Sequence, residues 1–145
     1  MKYMLVLRAT DQAIEASKNV DFDEILTAMG KYNESLIKAG VLLAGEGLSE
    51  PEEGFVVDFD SDPPLVSDGP YGETKELFSG FWIIQTASKE EAAEWAKRCP
   101  LGPGSKLEVR RVTEMEEFDQ SNEYVQKEAG WREQLGTERP VAGRP

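Results

Sequence analysis

The sequence predicts an α+β protein of the ferredoxin-like kind, in which two helices cover one face of an antiparallel sheet. Two segments with apolar residues at helical spacing, 22–39 and 89–98, each lie between two strand-like segments. The order is therefore β-α-β, a short β insertion, and β-α-β, which is the split β-α-β order of that fold. A third observation concerns the strands themselves, which are apolar at both alternating sets of positions.

The strand-like segments are rich in large apolar and β-branched residues and are bounded by turn residues. They are 3–8, 41–48, 55–59, 64–67, 80–86 and 106–112. The pair 55–59 and 64–67 surrounds the turn at 60–63 and predicts an inserted hairpin. The stretch 68–80 is rich in loop residues up to the start of the next strand.

Both predicted helices have start and stop signals. Asp21 with Glu24, and Ser88 with Glu91, have the spacing of capping boxes, in which each side chain binds a free backbone N–H near the other. Gly40 is expected to end the first helix in a left-handed conformation. Pro100 cannot continue the second helix and is expected to end it.

The faces of the sheet predict the state of assembly. In residues 81–84 and in 3–7 both alternating sets of side chains are apolar, although two helices can cover only one face. A second copy of the chain, packed sheet to sheet about a two-fold axis, would cover the other face. The alternative is that the C-terminal segment folds back over it. That segment, 116–145, is expected to be a separate tail with a weak apolar stripe over 121–135, Trp131 docked on some surface, and a disordered end.

Composition excludes several function classes. The 145 residues have a formal net charge of −12, which would repel a nucleic-acid backbone. No apolar run is long enough to span a membrane. The single cysteine, Cys99, cannot form an internal disulfide, which fits a cytoplasmic location, and it is expected to be a buried structural thiol. Histidine is absent, which excludes a Ser-His-Asp or Cys-His nucleophile and any His-bound metal, and no cofactor is expected.

Residues 68–76, DGPYGETKE, resemble the signature of the DGPF-domain branch of the YCII-related family. Tyr71 stands where that signature has phenylalanine, and the aromatic strand at 79–84 follows as it does in the family. Further blocks resemble the family in order, so that the resemblance covers about residues 1–115. It implies a dimeric α/β barrel, with 1–115 as the domain and 116–145 as the tail. The His–Asp pair proposed as catalytic in some relatives does not transfer, because this chain has no histidine.

Three residues are candidates for acid–base catalysis: Asp68, Glu46 and Lys75. Asp68 either caps its own turn or acts as a carboxylate at the mouth of the barrel. Glu46 lies between two glycines in an apolar strand, where it either contacts a ligand or reaches solvent from a β-bulge. Lys75 is either paired with Glu73 in a site or part of a solvated surface pair.

Five residues are candidates for ligand binding: Arg8, Tyr71, Glu73, Trp82 and Arg110. Arg8 and Arg110 belong to strands that the fold makes neighbours, so an arginine cluster could bind a ligand carboxylate or form a structural ion pair with Glu46 or Asp68. Tyr71 and Trp82 could line a pocket or belong to the core.

Two functions remain open at this point. The chain could be an enzyme with acid–base chemistry, of an isomerase or lyase kind, on a small polar or aromatic compound held in the dimer barrel. Alternatively it could be a non-enzymatic binding or regulatory module; the resemblance adds a link to sigma-factor regulation, since some members are encoded beside such factors. A pocket shared by Asp68, Glu46 and an arginine would favour the enzyme.

Overall fold

The computed structural model describes residues 1–69 and 76–136, and it confirms an α-and-β protein built on an antiparallel sheet. Its strands are β1 (Lys2–Thr10), β2 (Leu42–Gly47), β3 (Phe55–Asp58), β4 (Leu65–Asp68), β5 (Glu76–Gln85) and β6 (Lys106–Arg111). Its helices are α1 (Asp11–Ser17), α2 (Phe22–Lys38), α3 (Lys89–Lys97) and α4 (Glu123–Leu135), with single 3₁₀ turns at Pro51–Glu53 and Met115–Glu117. No helix within the described residues is long and apolar enough to cross a membrane.

The main sheet has four strands in the order β2-β5-β1-β6, and each neighbouring pair is antiparallel. The insertion β3-β4 is a separate antiparallel hairpin that pairs only with itself among the described strands. Residues that face each other across antiparallel strands share a face of the sheet. Leu5 therefore shares one face with its partners Trp82 and Val109, and Val6 shares the opposite face with Phe81 and Glu108.

The helix boundaries follow from local signals, with one capping prediction corrected. The Asp21 carboxylate caps α2 by accepting from the backbone N–H of Asp23 at 3.0 Å, whereas the predicted box required the N–H of Glu24. Gly40 ends α2 with φ of 72°, in the left-handed region that favours glycine, as predicted. Ser88 caps α3 by accepting from the N–H of Glu91 at 3.1 Å.

Helix α1 was not predicted, because residues 11–17 have no clear apolar stripe. Thr10 caps it by accepting from the N–H of Ala13 at 3.0 Å. After β6, residues Met115–Glu117 form a 3₁₀ turn whose N-cap is Glu114.

The core lies between the Leu5 face of the sheet and the helices α2 and α3. Its buried members are Tyr3, Leu5, Tyr32, Leu36, Val41, Trp82, Ile84, Ala92 and Cys99. Polar groups inside it are satisfied: the Tyr32 hydroxyl donates to the carbonyl oxygen of Trp95 at 2.9 Å, and the Trp82 indole N–H donates to Asn33 at 2.8 Å. The two aromatic rings of Tyr32 and Trp82 meet edge to face with centroids 5.6 Å apart.

The opposite face of the sheet, which we call the open face, carries an apolar band. Its central residues are Met4, Val6, Phe81 and Ile83. Val6 is 5% exposed and the other three are partly buried, although α2 and α3 pack on the other side. Helix α4 has few contacts with the strands of the sheet, and its residues Ala129 and Arg132 line a small pocket together with Met1 and Lys2.

Helix α4 itself leaves its large apolar side chains in solvent. Tyr124, Trp131 and Leu135 are 65%, 50% and 76% exposed. Trp131 is therefore only half-buried in the isolated chain.

Candidate functional site

A cleft of about 510 Å³ lies between one end of the main sheet and the base of the β3-β4 hairpin, and we call it the hairpin cleft. Its walls are mostly apolar, and they include Leu48, Phe55, Val56, Leu77 and Phe78. Its volume is in the usual range for small-molecule sites, which are about 300–1,000 Å³.

A β-bulge shapes the sheet side of the cleft. The pairing of β1 with β5 shifts between Leu7 and Arg8, so that Leu7 faces Gly80 while Arg8 faces Phe78 and Ser79 is the extra residue. A bulge increases the local twist and redirects side chains. The Ser79 hydroxyl donates to the carbonyl of Leu7 at 3.2 Å, which holds this irregular step. Consequently Arg8 and Phe78 come together as neighbouring cleft residues.

The other side of the cleft depends on a close approach of two backbone segments. The N–H of Gly69 donates to the carbonyl of Gly54 at 2.9 Å, which ties the end of β4 to the turn before β3. A Cβ atom at Gly69 would overlap the carbonyl oxygen of Pro51. Glycine is therefore required at this position for a steric reason, and this explains the glycine of the DGP segment.

Arg8 is the cationic residue among the described residues that line the cleft. Its guanidinium donates through Nη2 to Oε1 of Glu108 at 2.8 Å, and the two side chains are 34% and 36% exposed. Both residues lie on the open face, because Val6 and Glu108 are opposite each other and Arg8 follows two positions after Val6. The cleft and the open face are therefore continuous at Arg8.

Among the described residues, neither Glu46 nor Asp68 lines this cleft. Glu46 is exposed on β2, opposite Phe81, and the bulge of that strand lies at Leu43 rather than at Glu46. Asp68 is exposed at the end of β4, in the other sheet, and it comes immediately before the cleft residue Gly69. Lys75, Tyr71 and Glu73 lie outside the described residues.

The predicted arginine cluster is wrong, although β1 and β6 are neighbours as expected. The strands are antiparallel, so Arg8 faces Lys106 while Arg110 faces Met4. Four residues of extended strand separate the two arginines by about 13 Å. Arg8 pairs with Glu108 instead of Glu46 or Asp68.

Trp82 lies on the helix face of the sheet, 8% exposed, and its surroundings are those of a core residue. A Cβ at Gly45 would come within 3.1 Å of the Trp82 ring, so the glycine beside Glu46 makes room for the indole. Trp82 does not line the hairpin cleft, and its contacts show that it is a core residue.

The sequence analysis does not identify Phe55 and Phe78, which are the aromatic residues among the described residues that line the cleft. Phe55 begins the hairpin and is 69% exposed, and Phe78 is 38% exposed and stacks on Phe81 with centroids 6.2 Å apart. The exposure of Phe55 could have been inferred from the hairpin prediction, because an isolated two-stranded hairpin has no sheet neighbour to bury its side chains. Phe78 lies on β5 of the main sheet, and its place in the cleft depends on the bulge at Ser79.

A second apolar groove, of about 590 Å³, lies between α1, α2 and the loop 100–105. Val20 is one of its lining residues and is 45% exposed. No cluster of three or more acidic or cysteine residues suited to a metal ion occurs among residues 1–69 and 76–136.

Comparison with known proteins places the chain in a family. Residues 1–116 match the model of the YCII-related domain. The chain belongs to the YCII-related family. This confirms the resemblance that the sequence blocks around 68–84 indicate, and it covers the whole sheet, α1 to α3, the hairpin and the cleft.

Two proteins that this YCII-related protein resembles differ from it strongly in sequence. The uncharacterized protein R00369 of Rhizobium meliloti (strain 1021) is 27% identical over 93 residues, which are 63% of this chain and 75% of that protein. The solved structure of 5-chloro-2-hydroxyhydroquinone dehydrochlorinase (TftG) from Burkholderia phenoliruptrix AC1100, in complex with 2,5-dihydroxybenzoquinone, is 14% identical, with a TM-score of 0.42, over 82% of this chain and 100% of that one. Similarity at this level carries no inference about activity.

Proposed function

We propose that this YCII-related protein is a homodimer that binds a small, mainly apolar or aromatic compound in the hairpin cleft, as a binding module. The observation that carries the proposal is the composition of the cleft, whose described lining residues are mostly aromatic and aliphatic and include one arginine. Small-molecule sites are typically apolar clefts with a few placed polar groups. Neither Asp68 nor Glu46 lines the cleft, so an acid–base pair has less support than binding does.

The dimer is supported by the open face. The strand order β2-β5-β1-β6, with α2 and α3 packed on one side, supports the ferredoxin-like prediction, and an apolar second side of such a sheet needs cover. The apolar band of Met4, Val6, Phe81 and Ile83 supplies a surface that a second copy can bury about a two-fold axis. The sparse contacts of α4 support the separation of a domain, 1–115, from a tail, 116–145.

The dimer is tested by light scattering on the full chain at micromolar concentration. An Ile83→Asp variant places a charge within the open face and should be a folded monomer, because a buried unpaired charge is costly. Phe59→Asp is the matched control, because Phe59 is 78% exposed and follows the hairpin strand β3. A wild-type protein that is monomeric, or a control that dissociates equally, contradicts the proposed interface.

Binding is tested with 2-naphthamide, a neutral aromatic probe, by isothermal titration calorimetry. Phe55→Ser removes an exposed aromatic wall with little risk to folding and should weaken binding by about tenfold or more, given about 1.5–3 kcal/mol for burying a phenyl group. Val20→Ser in the second groove is the matched control and should bind as the wild type does. If no binding is detected, or if the Val20 variant loses it instead, the cleft is not the site.

Asp68→Asn in the same titration tests the predicted catalytic carboxylate. Asp68 precedes Gly69 at the rim of the cleft, so a change in affinity or a lost turnover would support the enzyme alternative. An unchanged titration would remove Asp68 from the site. A cytoplasmic location and a regulatory role stay predictions of the sequence and of the family resemblance.

A further inference from the structure

We propose that the compound bound in the hairpin cleft is a carboxylic acid with an aromatic or other planar apolar body, and that Arg8 binds its carboxylate. This inference rests on the proposed function of the cleft and narrows it to one chemical class. It follows from three features of Arg8: its free hydrogen-bonding capacity, its surroundings and its orientation.

Arg8 has donors to spare. A guanidinium group has several N–H donors in a planar fork, and here one nitrogen, Nη2, donates to one oxygen of Glu108 within the described part of the chain. The fork matches the two oxygens of a carboxylate, which it can bind through parallel hydrogen bonds. Because the side chain is two-thirds buried, a ligand carboxylate at this position would be partly shielded from water, and its interaction with Arg8 would be stronger than at an open surface.

The apolar residues that line the cleft with Arg8 favour a ligand whose remaining part is apolar. Phe78 faces Arg8 across the bulged strand pair and stacks on Phe81, so Arg8 and an aromatic pair lie on neighbouring strands, and Arg8 and Phe78 line the same cleft. Phe55, on the hairpin, also lines the cleft. A ligand that places its carboxylate on Arg8 would therefore place its remaining atoms in a cleft that is lined by Phe55 and Phe78.

Glu108 fixes the orientation of the cation. Glu108 lies on β6 and is not among the described residues that line the cleft. The bond of 2.8 Å holds the guanidinium by one nitrogen and leaves the others available. Glu50 is the carboxylate among the described cleft residues, and it is exposed at the 3₁₀ turn, where it does not pair with Arg8.

The experiment compares 2-naphthoate with 2-naphthamide, which have the same shape and differ in the charged group. Isothermal titration calorimetry on the full chain should show naphthoate binding about tenfold more tightly, as expected for a charge-assisted hydrogen-bonded pair. Arg8→Gln should remove that preference and leave naphthamide binding unchanged. Arg110→Gln is the matched control, since Arg110 lies on the same face at the far end of β6, and it should preserve the preference.

A second variant separates binding from folding. Glu108→Gln keeps an oxygen that accepts from Arg8 and removes the neighbouring negative charge, so it should bind naphthoate at least as tightly as the wild type. A loss in this variant equal to that in Arg8→Gln would mean that the ion pair acts through the fold, which would overturn the inference.

The outcomes also separate this inference from the proposed function. Equal affinity for both probes, unaffected by Arg8→Gln but reduced by Phe55→Ser, would keep the cleft as a binding site and overturn the carboxylate. Failure of both probes to bind would overturn the two proposals together. Preference for naphthoate that depends on Arg8 and Phe55 supports both.

Discussion

The buried thiol of Cys99 makes a quantitative prediction about alkaline stability. Burial against the core raises the pKa of this thiol from 9.0 to about 12, because the charged thiolate would lose its hydration. In the unfolded chain the thiol has its ordinary pKa, so between pH 9 and pH 12 the unfolded state loses a proton that the native state keeps. The contribution of the protonated Cys99 thiol to the free energy of unfolding is therefore fully present below pH 9, and it is lost as the pH rises towards 12.

The size of the effect follows from the separation of the two pKa values. At pH 10, one unit above the unfolded pKa, the unfolded state gains about 1.4 kcal/mol relative to pH 7, while the native thiol stays protonated. Tyr32 lies close enough to interact with Cys99, and burial raises its pKa as well, so its hydroxyl also stays neutral in the native state at pH 10. Because native Tyr32 stays neutral whether or not Cys99 is present, a comparison of the wild type with Cys99→Ala isolates the contribution of Cys99 to the free energy of unfolding.

The assay is urea-induced unfolding followed by tryptophan fluorescence, for the wild type and for Cys99→Ala at pH 7 and pH 10. The alanine variant should be less stable at pH 7, because it leaves a small cavity, but the difference from the wild type should shrink by about 1.4 kcal/mol at pH 10. Other titrating groups affect both proteins equally and cancel. A difference that stays constant between the two pH values would refute the burial argument.

Two further stability predictions rest on single contacts. Gly69→Ala should destabilise the hairpin by about 1–3 kcal/mol, because the added methyl group would overpack against the Pro51 carbonyl, and it should lower the affinity for 2-naphthamide in calorimetry. Gly47→Ala is the control, because its Cβ would meet nothing within 4 Å, and it should leave that affinity unchanged. Tyr32→Phe removes the donor to the Trp95 carbonyl and should lower the free energy of unfolding in urea by about 1–2 kcal/mol; an unchanged midpoint would mean that water replaces the hydroxyl at no cost.

Much of the fold could be predicted from the sequence because the main strands and α2 carry strong apolar periodicity. Helix α2 spans Phe22–Lys38 where 22–39 is predicted, and β5 covers the predicted strand 80–86 up to Gln85. Helix α1 escaped prediction because its signal is a capping threonine alone, and none of its residues is buried. Strand β5 begins earlier than expected, at Glu76, because residues 76–78 of the predicted loop pair with the end of β1.

The candidate site was less predictable, since it depends on register. The prediction joined Arg8 to Arg110 from strand adjacency, but antiparallel pairing brings Glu108 to Arg8 instead. Local composition cannot reveal that a bulge at Ser79 places Phe78 beside Arg8, because the shift is set by the pairing of two distant segments. Gly69 is the exception, since the sequence singles out its segment and the structure gives the steric reason.

The hairpin pairs with no strand of the main sheet among the described residues, yet it supplies one whole wall of the cleft. The residues Phe55–Asp58 are therefore not constrained by strand pairing with the main sheet. Substitution in the hairpin can therefore change the lining of the cleft without changing the strand pairing of the main sheet. Exchange of the hairpin between relatives would be a way to vary the shape of the cleft on a constant sheet.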